Sequence, residues 1–210
     1  MKPIYEYRSV SIHTKSELKE KKSVFIGLIF PVKDETEIEN LLQQIRREYP
    51  DANHHCYAYK LLNGKIKFAD DGEPHRTAGL RIFNAIEYND LNNVLLVVVR
   101  YFGGTKLGVG PLGKAYYDAA SSAITKESIK VFKLYRRIKL VFDFSLETLI
   151  KKFYKSNKII LIQSFYITDV EYECLIPVND EEQIIDRLKE LTNGKIKMNL
   201  YEELLYHADN

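Results

Sequence analysis

The chain has no tryptophan, two cysteines, ten glycines and six prolines, and no run of 18 or more apolar residues. Each shortage excludes something. Without a long apolar run, no helix is expected to span a bilayer. Cys56 and Cys174 lie far apart with no CxxC pattern, so neither a disulfide framework nor a cysteine zinc site is expected. The opening, MKPIYEYRSVSIHTKSELKEKK, is charged throughout and lacks the apolar centre of a secretion signal; the expected compartment is the cytoplasm. What remains is 210 residues, 45% hydrophobic and 29% charged, with net charge +2, the composition of a folded globular chain.

That small net charge conceals an uneven distribution. Residues 1–132 carry net charge +3 and residues 133–210 net −1, while nine of the ten glycines lie at or before Gly113. The break predicts an α+β protein of two domains, residues 1–132 and 137–210, joined near Lys130–Arg136. In the second domain, strands are predicted at Arg137–Phe144, Ile159–Ile167, Val170–Ile176 and Ile196–Tyr201, with helices at Leu146–Tyr154, capped by Ser145, and Glu181–Leu191. The resulting βαββαβ order is that of ferredoxin-like folds. The first domain is mixed. Strands are expected at Tyr5–His13, Ser23–Val32, His54–Leu61, Lys65–Ala69 and Val94–Tyr101, the last buried on both faces. Asn63–Gly64 signals a hairpin. Helices are expected from an Asp34 cap to about Tyr49, over Thr77–Ile86 and over Leu112–Lys126.

Three stretches carry residues suited to chemistry. Phe102–Lys114, FGGTKLGVGPLGK, joins the buried strand to a helix and contains Gly103, Gly104, Gly108, Gly110 and Gly113. Glycine lets the backbone turn and present N–H groups to an anion, and a helix N-terminus adds partial positive charge. Arg100, Lys106 and Lys114 are the only charged residues between Leu91 and Tyr117. Gly108–Ala115 is one residue short of a phosphate-binding P-loop: Ala115 replaces the magnesium-reaching hydroxyl, and Pro111 removes a backbone donor. A looser anion site and a plain tight connection both fit.

Ala69–Gly79, ADDGEPHRTAG, sets Asp70, Asp71 and Glu73 within four residues. The spacing is not that of a calcium loop, and turn-forming plus helix capping is the expected role over metal ligation. No metal or other cofactor is expected. Ala52–Tyr59, ANHHCYAY, places His54 and His55 on opposite strand faces, with Cys56 on the side of His54. Cys56 reads as a small core residue, and its pairing with His54, His75 or His13 as a nucleophile is the less favoured alternative.

Taken together and in this order, these segments resemble the IMPACT/YigZ family, through Asn53–Tyr59, Asp70–Gly79 (with Asp71, Gly72, Glu73, Pro74, Thr77 and Gly79 as the motif turn) and Val98–Gly110. The resemblance implies an N-terminal domain similar to sugar and mevalonate (GHMP) kinases and a small-subunit ribosomal protein, with a ferredoxin-like C-terminal domain like one of elongation factor G. It also implies an association with translation or RNA. Arg76 departs from the family, which usually has a small residue there, often glycine; Arg81 stands for a frequent proline, and Pro111 and Gly113 depart from the usual glycine run. The resulting expectation is a non-catalytic binding protein for RNA, the ribosome or translation factors. Its anion site would be formed by Arg100, Gly103, Gly104, Lys106, Gly108, Gly110 and Lys114. The alternative is an enzyme for a phosphorylated or acyl small molecule using Asp70, Asp71, Glu73 and His54. A third is a protein-binding module presenting the ferredoxin-like sheet.

Overall fold

The computed structural model describes residues 3–208; residues 1, 2, 209 and 210, the outermost ends of the two expected domains, lie outside the described residues. The chain divides into two compact units. One is Tyr7–Val131; the other combines residues 3–6 with residues 132–208.

In the first unit the antiparallel sheet runs β2-β3-β6-β4-β5, built from β2 (Thr14–Glu20), β3 (Ser23–Pro31), β6 (Val94–Tyr101), β4 (His54–Lys60) and β5 (Ile66–Ala69). β6, VLLVVVRY, lies in the middle because nearly every residue is apolar and β-branched or leucine, so both of its faces can be buried. Each large aliphatic side chain buried there contributes roughly 1.5–3 kcal/mol. On one face α1 (Glu35–Glu48) covers Leu95, Val97 and Val99 with Ile38 and Ile45. Asp34 caps that helix by accepting the Glu37 N–H at 2.9 Å. On the other face α2 (Gly79–Tyr88) and α3 (Val109–Ala123) cover Leu96, Val98, Cys56 and Phe25. The small stripe of Ala115, Ala119, Ala120 and Ala123 lets α3 lie close against β2 and β3. Gly27 shows how close: a Cβ there would stand 2.3 Å from the Ala119 carbonyl oxygen.

Several boundaries differ from those expected. Tyr5–His13 is not one strand; β1 (Glu6–Val10) ends early and β2 follows as a separate edge strand. β2 was hidden because two of its inward positions are hydroxyls: Thr14 and Ser16 donate to the carbonyls of Ala123 and Ala119 at 2.5 and 2.9 Å, beside an inward Leu18. Helix α2 starts at Gly79 and not at Thr77, whose N–H and hydroxyl turn back to the Pro74 carbonyl. Helix α3 starts at Val109, three residues early, because Pro111 falls in its first turn, where a missing N–H costs nothing. It ends at Ala123, short of the expected Lys126. Lys130–Arg136, expected as the junction, belongs to the 14-residue strand β7 (Ile129–Phe142).

The second unit has the βαββαβ order read from the alternation: β7, α4 (Glu147–Ser156), β8 (Ile160–Tyr166), β9 (Val170–Pro177), α5 (Glu181–Leu191) and β10 (Lys197–Ala208). β7 pairs with both β10 and β9, β9 pairs with β8, and α4 and α5 cover Ile138, Leu140, Phe142, Tyr172 and Cys174. The turn into α4 is capped by Asp143, which accepts the Ser145 N–H at 2.8 Å, so Ser145 is the capped residue and not the cap. Among the described residues no helix is long and apolar enough to cross a membrane.

Candidate functional site

Alternation along β4 sends His54 and Cys56 toward α2 and α3, and His55 toward α1. His54 Nδ1 lies 2.9 Å from the Asp71 carbonyl oxygen. A carbonyl only accepts, so Nδ1 carries the proton, and Nε2 is left facing Glu73 Oε1 at 3.7 Å. Asp71 and Gly72 hold φ of +44° and +89°, and the Glu73 N–H closes the turn on the Asp70 carbonyl at 2.9 Å. This tight left-handed turn explains the DDGE sequence, since aspartate and glycine enter that region most readily.

The three carboxylates diverge. Asp70 accepts the N–H groups of Arg76, Ala78 and Gly79 at 2.8, 3.0 and 2.8 Å and thereby caps α2 from a distance. Gly79 is required there, because a Cβ would stand 2.7 Å from the Ala69 nitrogen. Asp71 accepts from Arg46 at 2.8 Å and from the His55 N–H at 2.6 Å. Burial pushes its carboxyl upward, yet these bonds hold it below the usual carboxylate range. Only Glu73 faces the cleft, so Asp70 and Asp71 drop out as catalytic candidates.

Glu73 is the hub of the site. Its Oε1 accepts from Arg100 at 2.5 Å and from the Tyr116 hydroxyl at 2.7 Å. Arg100 also donates to Ser23 Oγ at 3.4 Å, and its guanidinium lies between the rings of Phe25 and Phe102, at 5.2 and 5.5 Å. This corrects the expected role of Arg100: it is buried and its charge is neutralised by Glu73. Cys56 lies beneath, its thiol 2.9 Å from the Asp70 carbonyl and 3.4 Å from the Tyr116 hydroxyl. Burial pushes both the Cys56 thiol and the Tyr116 phenol far up, so neither ionises at neutral pH. The cysteine-nucleophile alternative falls on that ground. Its other expected partners lie elsewhere: His13 stacks on Phe30, and His75 is exposed beside Asp70.

The glycine loop is fastened at its start. Phe102 N–H donates to Asn53 at 2.7 Å and Gly103 N–H to Ser23 Oγ at 3.1 Å. A Cβ on Gly103 would meet the Lys22 carbonyl carbon at 2.1 Å, whereas Gly104 and Gly108, with φ of +82° and +85°, face open space. In α3 the Leu112 N–H bonds to the Gly108 carbonyl at 3.0 Å, leaving the N–H groups of Val109 and Gly110 ahead of it. Lys106 is exposed and makes no ion pair among the described residues. Lys114 is paired with Asp118 at 2.5 Å and lines a different groove with Leu18 and Glu20, so it does not join this site.

One cleft of about 370 Å³ collects a residue or more from each of the three stretches: His54; Glu73 and Pro74; Arg100, Phe102, Lys106–Val109 and Leu112. Gly103 and Gly104 shape the loop without lining the cleft, and Gly110, in the first turn of α3, lines the groove of Lys114. Tyr116, Ser23 and Asn53 hold the lining in place; Asn53 opens the first motif stretch, and Tyr116 and Ser23 were not singled out in the sequence. A polar side chain ending the otherwise apolar β6 was the available signal, because a buried arginine demands an acid.

A family model described as the Impact N-terminal domain matches residues 21–124, and one described as a domain of unknown function (DUF1949) matches residues 140–195. The chain is similar to IMPACT family member YvyE of Bacillus subtilis (strain 168), 31% identical over 194 residues, 91% of this chain and 89% of that protein. It is also similar to IMPACT family member YigZ of Escherichia coli (strain K12), 35% identical over 108 residues, 50% of this chain and 53% of that protein. A crystal structure of a hypothetical protein has the same fold, with TM-score 0.63 at 24% identity, covering 96% of this chain and 100% of that one.

Proposed function

The chain belongs to the IMPACT family, and from that footing we propose that it is a non-catalytic, cytoplasmic binding protein that engages RNA or the translation machinery through the glycine-loop face of its first unit. The observation that supports this most is the convergence of the three motifs on one cleft whose lining includes Lys106 and Val109, the first residue of α3. With Arg100 and Lys114 paired internally, Lys106 supplies the free charge. Binding through so few phosphate contacts is weak, with a shallow salt dependence of about one counterion. Fluorescence anisotropy with labelled single-stranded RNA at two salt concentrations tests the reading. Affinity is expected to fall with salt and to be lost in Lys106→Glu. No binding at low salt, or binding indifferent to that substitution, overturns it.

A second reading, an enzyme for a phosphorylated or acyl small molecule, is favoured by one observation: His54 Nε2 and Glu73 meet at 3.7 Å inside the same cleft. Proton transfer to a bound ligand is the chemistry such a pair can supply. Incubation with phosphate monoesters and acyl thioesters tests it, with His54→Gln as the control. Absence of turnover, or turnover retained in that variant, retires it.

A further inference from the structure

The cleft wall holds a buried ion pair, Glu73 with Arg100, and among the described residues its edge carries one free cation. Glu73, whose side chain is 4% exposed, is buried in its wall, while Lys106 is exposed at its edge. Phe102, Leu107 and Leu112 line the same cleft. The contacts of Glu73 are lopsided: Arg100, Tyr116 and the approach of His54 all end on Oε1, and none of them on Oε2. A carboxylate has about four acceptor positions, and Oε2 is not among the fully enclosed atoms, so it is open to donors that enter the cleft. The wall therefore asks for a ligand with N–H donors at one end, a flat apolar body and an anion at the other.

A nucleotide has that form. Resting on the RNA-binding reading of this same cleft, we infer that the cleft takes one unstacked nucleotide, base inward and phosphate at Lys106 and the first turn of α3, and that Glu73 Oε2 selects guanine. Guanine presents two adjacent donors, N1–H and the N2 amino group. Adenine and cytosine each offer one amino group beside a ring acceptor, and uracil offers one N–H between two carbonyls that a carboxylate repels. Phe102 is 44% exposed and backed by the Arg100 guanidinium, a surface on which a splayed base can stack. The cleft volume of about 370 Å³ suits one nucleotide and not a stacked pair.

The test uses the full chain and four short labelled uridine-rich RNAs that differ only at one central base. Guanine is expected to bind about tenfold more tightly than uracil, with adenine and cytosine between. GMP is expected to compete better than UMP. Glu73→Gln should erase the preference for guanine, and Lys106→Ala should weaken all four RNAs alike. Because Glu73→Gln leaves Arg100 without its anion, its unfolding midpoint is measured in parallel, and the series on the unaltered chain decides. Equal affinity for the four RNAs, or a preference for another base, overturns this inference and leaves the RNA-binding reading standing. Binding of none overturns both.

Discussion

Glu73 and Arg100 form an ion pair enclosed in the cleft wall, with side chains 4% and 6% exposed. Removing one member leaves the other charged and buried, which costs about 3–5 kcal/mol. Arg100→Met is therefore expected to destabilise the chain by that amount in urea unfolding. The double variant Glu73→Gln with Arg100→Met should lose clearly less than the sum of the two single changes. Additive losses would show that the two side chains are not coupled.

Asp70 acts on α2 through three backbone N–H bonds. Asp70→Ala should cost about 2 kcal/mol, at the upper end for a helix cap, and Asp70→Asn about half that, since it keeps one acceptor oxygen. Denaturant midpoints of the two variants check the order.

Neighbouring glycines in the loop are predicted to behave differently. Gly103→Ala forces a Cβ into the Lys22 main chain and should lose 2 kcal/mol or more, roughly the cost of overpacking. Gly104→Ala meets only the positive φ and should lose about 1 kcal/mol. Equal losses would contradict the close approach at Gly103. A related case is Arg76, whose φ is +60° at a position where the family resemblance implies a small residue. Arg76→Gly should raise stability by up to about 1 kcal/mol, read from the melting temperature.

Acid should weaken the two units through different groups. Burial and the nearby Arg46 push the His55 imidazole below its ordinary 6.5. The unfolded chain then takes up a proton near pH 6.5 that the folded chain refuses, so stability falls as pH drops below that value. His55→Gln should flatten this loss. In the second unit, hydrogen bonds from Lys151, Tyr166 and Tyr172 hold Glu147 down to about 2, against 4.5 ordinarily. Its contribution is complete above pH 4.5 and disappears as pH falls toward 2. Melting temperatures of the full chain and of His55→Gln and Glu147→Gln between pH 8 and 2 separate the two windows.

Both thiols should be silent in the folded chain. Burial pushes Cys174 up to about 12 and Cys56 higher. A thiol reagent at neutral pH is expected to label neither until denaturant is added, and both afterwards. Rapid labelling of Cys56 in the folded state would reopen its candidacy as a nucleophile.

Much of this architecture was legible because burial leaves periodic traces. β6 reads as a central strand from its uninterrupted apolar run, and the second unit reads as βαββαβ because its strands and helices alternate in period. β2 does not read, since its inward Thr14 and Ser16 look polar until α3 supplies the carbonyls they bond. The cleft was legible only as three separate motifs. No spacing rule joins Glu73 to Arg100, 27 residues on, or to Tyr116, and the cationic look of the stretch between Leu91 and Tyr117 shrinks to Lys106 once Arg100 and Lys114 find acids. Local sequence records which groups are charged; the fold decides which charges remain free.

Asp71 serves both faces of β4 at once. Its main-chain carbonyl orients His54 on the cleft side, while its carboxylate binds Arg46 of α1 and the His55 N–H on the other. From its left-handed turn this one residue reaches both sides of the strand, like a rivet through a plate. Substituting the side chain at position 71 would free Arg46 of α1 from the turn while leaving the imidazole of His54 tethered by peptide backbone, so the two contacts can be uncoupled by chemistry at a single carbon.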